Sequence, residues 1–506
     1  MRVAFITLLA WAVFGVNGVR ADTAYAPVNL TVSEVLAKAR AARGMLAPGT
    51  YYRTIQTVGN GTTSQTQEYE SGDDFSAREQ SGNFTSAYGS NHGQDWFQDS
   101  NGTVTIESGF HDREDPYASA LRPTTGGNDV ITVLGKTTTD PACLVLQLRP
   151  HRELLQRRFY DAATFLLRRV ETTDYDGQTT IYEYSDFRTV DGLTFPQTIA
   201  YHDGHSENDE QSQVLSFAAV PSASAHFEIP ATRSVFDLQG RSSVRIPAEF
   251  TEHGIIVRVT IAGRGLDFEL DSGASSMVVD AAVARQLGLT LYGVRKGTFG
   301  GDYTSGQTRV SDLALGDLHA HDVAIEAIPF NVMVGDRKIV GLLGGDFFSG
   351  ARIAIDFKNK TVSMLAPSKD APPAPWTAVP IEIDDLVPRV HAKFSDADGA
   401  FIVDLGADET MLFEHYFSRF HPDKIGEVQG QVTGVAENPV DYREYRFPRF
   451  DFGNLAFADA QAMVASGKRW ESLNYDGLLG RNVLSDFNLI FDYPDRKLYI
   501  ESMVKP

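Results

Sequence analysis

The stretch Leu266-Asp267-Phe268-Glu269-Leu270-Asp271-Ser272-Gly273-Ala274 decides how the rest of the chain reads. A turn at Gly263-Arg264-Gly265 feeds an alternating strand that ends on an aspartate, with a glycine two places later. Downstream, the turn Asp396-Ala397-Asp398-Gly399 leads into Ala400-Phe401-Ile402-Val403-Asp404-Leu405-Gly406-Ala407, whose aspartate stands 133 residues after the first. A helix-like stretch is expected behind each, in the second copy around Thr410 to Phe420. Further on, Val340-Gly341-Leu342-Leu343-Gly344-Gly345-Asp346-Phe347 is answered by Asp476-Gly477-Leu478-Leu479-Gly480-Arg481-Asn482-Val483 at an offset of 136, and Ile355-Asp356-Phe357 by Phe491-Asp492-Tyr493 at the same 136. Three landmarks in one order at nearly one offset define an internal duplication. The proline-rich stretch from Ala366 to Pro375 between the copies has linker composition.

These landmarks resemble those of the aspartic peptidases, specifically bacterial retroviral-type (retropepsin-like) members carried as two lobes in one chain. The resemblance spans about residues 245 to 503, and the run Leu478-Leu479-Gly480-Arg481-Asn482-Val483-Leu484 is especially like the retroviral form. It implies a bilobal β-fold with pseudo-two-fold symmetry, lobe 1 over 245–366 and lobe 2 over 376–506, in which Asp271 and Asp404 meet as a catalytic dyad. Two carboxylates brought within about 3 Å cannot both ionise, so they share one proton and act as base and acid together. The ionised member takes a proton from a water that attacks the peptide carbonyl; the protonated member donates to the oxyanion and the leaving nitrogen. Neither lobe does this alone, and a chain that encodes both aspartates is expected to work as a monomer on a peptide or protein substrate, without metal or other cofactor.

The loops are supported by Ser272, Gly273, Ala274, Gly406 and Ala407. Gly273 and Gly406 let the backbone turn tightly and bring an amide to each carboxylate. The family pattern places a hydroxyl immediately after each aspartate, bonded across to the opposite loop. Ser272 fits this and Leu405 departs from it, so half of the cross-lobe bonding is expected to remain. A flap over the cleft is expected in Phe299-Gly300-Gly301-Asp302-Tyr303-Thr304-Ser305-Gly306, with Gly300 and Gly301 mobile and Tyr303 facing substrate, and its counterpart in Gly430-Gln431-Val432-Thr433-Gly434. Leu405 also favours an alternative, a peptidase-like protein that binds peptide, lipid or lipoprotein without cleaving. No Gly-x-Ser-x-Gly elbow or His-Glu-x-x-His pair supports a serine or metal hydrolase.

Residues 22–235 read as one α+β domain. Thr31-Val32-Ser33-Glu34 is a capping-box signature, Val35, Leu36 and Ala39 keep helical spacing behind it, and Gly44 offers a stop, which predicts a helix near residues 32 to 43. Turn dipeptides at Asn60-Gly61, Asn101-Gly102, Asp176-Gly177 and Asp191-Gly192 flank alternating runs and predict antiparallel hairpins. The segment from Phe159 to Ile199 looks like the periplasmic lipoprotein-carrier (LolA-like) half-barrel, which implies a groove for a lipid or lipoprotein; the other reading is a scaffold with a filled core. His202, His205, Glu207, Asp209 and Glu210 crowd one loop and have the residue types of a metal site, yet without a second ligand cluster they read as a solvated loop.

Composition agrees. A chain of 506 residues with 42% apolar content, 44 glycines and 22 prolines is folded and turn-rich, hence mainly β, and at roughly 150 residues per domain it holds about three. The net charge of −21 repels phosphate backbones, which excludes nucleic acid as a partner. Arg2, the apolar run Val3 to Val16 and the small residues of Val19-Arg20-Ala21 read as a signal peptide over residues 1–21, cut before Asp22. That run is too short to span a bilayer, which takes about 20 residues in a helix, so the mature chain is expected in the periplasm or outside the cell. Cys143, the single cysteine, lies in an apolar run and reads as a small core residue.

Overall fold

A computed structural model describes the chain except residues 1–4, 7–24, 46–47, 73, 107–129, 140, 150–154, 174–178, 298–302, 331, 335, 369, 385, 421–429, 435–439, 459, 466–474 and 504–506. The expected cleavage segment and the Asp176-Gly177 turn lie outside the described residues. The fold is mainly β.

In the N-terminal part a helix, Val32–Arg43, packs on a 13-stranded antiparallel sheet. Thr31 caps the helix: its Oγ1 accepts from Glu34 N at 3.2 Å while its own N–H donates to Glu34 Oε2 at 2.7 Å. Gly44 ends the helix at φ +75°, where a side chain would also strike Gly192 O at 2.0 Å. Val35 and Ala39 on the inner face are buried with Leu144, Leu146, Leu148, Tyr160, Leu167, Val170 and Tyr184. At about 1.5–3 kcal/mol for each large apolar side chain, this cluster holds helix to sheet. Cys143 is buried and free at the start of the strand Cys143–Arg149. The sheet consists of two meanders, joined where Thr50–Gly59 pairs with Glu210–Val220.

The two lobes repeat one backbone plan. In lobe 1 the strand Gly341–Leu343 lies between Arg264–Leu270, to which it is parallel, and Val278–Asp280, to which it is antiparallel. In lobe 2 Gly477–Leu479 lies in the same way between Ala397–Val403 and Met411–Phe413. The expected helix-like stretches therefore begin as three-residue strands; the helices Ala281–Gln286 and Glu414–Phe420 start only after them. Apolar runs such as Met411-Leu412-Phe413 suit either conformation, and pairing on both edges decides for strand.

A six-stranded sheet joins the lobes, three strands from each, in the order Ser243–Ile246, Thr361–Leu365, Arg352–Asp356, Phe487–Asp492, Lys497–Ser502, Thr377–Pro380. Its centre is the antiparallel pairing of residues 352–355 with 489–492. There the buried Arg352 Nε stands 2.8 Å from Asp492 Oδ2, and Phe348 of lobe 1 meets Phe491 of lobe 2 at 5.1 Å between ring centroids. One continuous apolar core spans both lobes.

Candidate active site

Asp271 and Asp404 end the two strands that the central landmarks pair with, and each is held by its own lobe in the same manner. Asp271 N donates to Leu343 O at 3.1 Å and Asp404 N to Leu479 O at 3.0 Å. Gly273 N donates to Asp271 Oδ1 at 2.9 Å, and Gly406 N to Asp404 Oδ1, also at 2.9 Å. Ala407 N adds a bond to Asp404 Oδ1 at 3.1 Å. The carbonyls of Ala274 and Ala407 accept from Gly345 N and Arg481 N, at 2.7 and 2.9 Å, which tie each loop to the segment beneath it.

The loops interlock across the pseudo-two-fold axis. A methyl group on Gly273 would stand 2.4 Å from Asp404 Cγ, and one on Gly406 would stand 2.6 Å from Asp271 Cγ. The glycines thus serve the opposite aspartate as well as their own, a role that neither spacing nor turn chemistry announces. Both carboxylates are fully buried. Burial, reinforced by the neighbouring Asp271 charge, pushes the Asp404 carboxyl well above the usual carboxylate range, against the pull of the Gly406 and Ala407 amides.

Ser272 crosses between the lobes. Its Oγ donates to Val403 O at 2.6 Å and accepts from Leu405 N at 3.1 Å. Leu405 has no hydroxyl to return the contact; it is fully buried and its side chain packs in the shared apolar core. Arg481, quoted in the retroviral-like run and given no role there, is 6% exposed and reaches the second loop: Nη1 donates to Leu405 O at 2.5 Å and Nη2 binds Asp408. Asn482 Oδ1 accepts from both the amide and the hydroxyl of Thr410 at 2.8 Å.

Of the expected flap, Gly300 and Gly301 lie outside the described residues. The strands that flank it, Tyr292–Gly297 and Tyr303–Leu315, form an antiparallel hairpin in which Tyr303 pairs with Gly297. In lobe 2 Gly430–Gly434 pairs with Val440–Phe447.

The loop 202–210 is solvated only in part: Gly204, Ser206 and Glu207 are exposed, while Asp203 and Asn208 are buried. Asn208 is fully buried: its Nδ2 donates to Lys296 O at 2.6 Å and its Oδ1 accepts from Lys296 N at 2.9 Å, so one side chain extends the hairpin's ladder. Glu207 pairs with Lys296 and Glu210 with Arg295, while His202 Nδ1 meets Asp209 Oδ1 at 3.0 Å. Asn101 repeats the device on Ala324, with bonds of 3.0 and 2.8 Å. The polar cluster docks the N-terminal sheet onto lobe 1. Among the described residues no group of His, Cys, Asp and Glu has the arrangement of a metal site, and no helix is long and apolar enough to cross a membrane.

Residues 257–347 and 390–483 each match the family model described as aspartyl protease. Each of the two lobes is thus similar to the aspartyl-protease family over most of its length, and each matched segment holds one of the two aspartates. Comparison with curated proteins gives no match. Among solved structures, the aspartic proteinase from Irpex lacteus is similar at 12% identity and a TM-score of 0.36, over 51% of this chain and 97% of its own. A LolA superfamily protein from Nitrosomonas europaea is similar at 16% identity and a TM-score of 0.30, over 38% of this chain and 96% of its own.

Proposed function

We propose that the protein is an exported aspartic endopeptidase that hydrolyses peptide bonds with water activated by the Asp271/Asp404 dyad. The reciprocal fit of each carboxylate against the opposite loop's glycine carries the reading, because it brings two buried acids from separate repeats to one point. The raised proton affinity of Asp404 beside Asp271 supports a pair that holds one proton, which its protonated member gives to the carbonyl oxygen as the tetrahedral diol forms. The ionised member takes a proton from the attacking water in the same step and passes it to the leaving nitrogen when the diol collapses, while its partner recovers a proton from a diol hydroxyl. On this reading the protein is monomeric, peptide lies in the cleft between residues 245–366 and 376–506, the hairpins of both lobes cover it, and Tyr303 touches it. Residues 22–235 serve as scaffold, since the helix Val32–Arg43 covers the apolar cluster on the strands between residues 143 and 184.

The test is incubation of the mature chain with a mixed peptide library across pH, beside Asp271→Asn and Asp404→Asn. Wild type is expected to cut, and each variant to lose at least ~10³-fold in turnover. A wild type that cuts nothing, or variants that cut as well as it does, sinks the reading.

Leu405 favours a second one, a cleft that holds peptide without cleaving it. In that case wild type retains peptides uncut. A lipid or lipoprotein carried by the N-terminal part would appear as lipid in extracts of the purified full chain.

A further inference from the structure

We propose that Glu269, acting through Arg481, is a positioning residue that supplies a second tie between the lobes at the dyad, in place of the hydroxyl that position 405 lacks. The Ser272 tie is one-sided, and the repeat relation shows what is missing. Ser272 binds Val403 O and Leu405 N; a hydroxyl at 405 would face Leu270 O and Ser272 N, each 133 residues earlier. Arg481 takes hold of the same loop by another route. Nη1, which donates to Leu405 O, also stands 3.8 Å from Glu269 Oε1 of lobe 1. Glu269 lies two residues before Asp271, near the end of the strand Arg264–Leu270, and close enough to feel its charge. A chain of groups therefore runs from the Asp271 strand through a guanidinium to the backbone of the Asp404 loop.

Burial makes this pair more than a packing accident. Glu269 is 1% exposed, and a carboxylate so placed is costly unless a cation faces it. Burial raises its proton affinity, with Arg481 opposing and Asp271 and Asp408 adding to the rise. Arg481 is fixed from its far side by Asp408, whose Oδ2 is 3.4 Å from His253 Nδ1, so the chain crosses between the lobes twice. Nothing charged stands at the symmetry-related positions. Glu269, Asp408, Arg481 and His253 correspond to Ile402, Ser275, Gly345 and Leu386, and a methyl on Gly345 would lie 2.4 Å from Leu386 O. Among the described residues this bridge is built only onto the loop without a hydroxyl.

The inference rests on the peptidase reading only for its kinetic arm, so two readouts are taken on the full chain. Hydrogen exchange of the amides of residues 405–407 is compared among wild type, Glu269→Gln, Leu405→Thr and the double variant. Glu269→Gln is expected to speed exchange about 10-fold, and Leu405→Thr in that background to bring it back to within about 3-fold of wild type. Peptide turnover is expected to fall about 10–100-fold in kcat with KM little changed, with the same rescue. Exchange in Glu269→Gln equal to wild type overturns the proposal, as does an effect of Leu405→Thr that is identical in both backgrounds. Should Glu269→Gln not fold, Glu269→Asp, which withdraws the carboxylate by one methylene, is measured in its place against the same outcomes. If wild type hydrolyses nothing while the exchange pattern holds, the peptidase reading falls and the tie stands.

Discussion

The two lobes carry the same backbone plan with different side chains, and the places where they diverge separate what the plan needs from what each lobe adds. In lobe 1 the strands Tyr303–Leu315 and Leu318–Ile328 run unbroken. In lobe 2 the matching hairpin is interrupted between Val440–Phe447 and Phe450–Phe452, where Pro448 has no N–H for the ladder. The lobe survives because strands 411–413, 477–479 and 397–403 keep their pairing. Asp346 and Asn482 differ in chemistry and agree in task. Asp346 accepts backbone bonds from Met277 and Phe347; Asn482 accepts from Thr410, which corresponds to Met277. Burial, with the charges of Asp99 and Glu326 adding to it, pushes the Asp346 carboxyl up to about 8 despite those bonds, so near neutrality it is largely protonated and stands in for an amide. The duplication has kept the backbone contacts that place the aspartates and let side chains drift wherever another group of similar shape completes the bond.

If the lobes are equivalent at the dyad, Gly273→Ala and Gly406→Ala should be equally damaging. Each methyl displaces the opposite carboxylate, and turnover is expected to fall about 10²-fold or more in both, with KM nearly unchanged. A large loss in only one would break the symmetry. Ser272→Ala sharpens the contrast between the loops: it removes the cross-lobe hydroxyl, and kcat is expected to fall about 10-fold, whereas Leu405→Ala should act on stability through its lost core packing. Steady-state kinetics beside thermal melts separates the two. The smallest effect is expected from Asp346→Asn. A carboxyl whose proton affinity is raised on folding stabilises fully below its unfolded value of 3.8, and that contribution is lost as pH rises through about 8. The variant, which keeps the hydrogen bonds and has no charge to bury, should therefore melt like wild type at pH 4 and above it at pH 9. A melting point unchanged at pH 9 would show that the wild-type carboxyl ionises there without cost.

Much of this was legible in the residues. Thr31, Glu34 and Gly44 act within one helix, and Asn60-Gly61 and Asp191-Gly192 within one turn, so their geometry is local and their signals are strong. The duplicated Asp-x-Gly loops stood out because a repeat compares the chain with itself. The short strands after each loop were misread because three residues, Val278-Val279-Asp280 or Met411-Leu412-Phe413, are too few to show a period of their own. The anchoring of the loop 202–210 was not legible because Asn208 and Glu207 find their partners on a hairpin that begins about ninety residues later, in another part of the chain.

The sequence by itself determined the two related lobes, the aspartate that each presents and the amide that each glycine offers to its own carboxylate, since all of these depend on neighbours within a few residues or on the repeat. Only the tertiary structure decided that Gly273 makes room for Asp404 and Gly406 for Asp271, that Arg481 stands between Glu269 and Leu405 O, and that the loop 202–210 docks on lobe 1. Those contacts join segments with no fixed spacing between them. Such a contact is set by how sheets pack and close on one another, and it leaves no periodic trace along the chain.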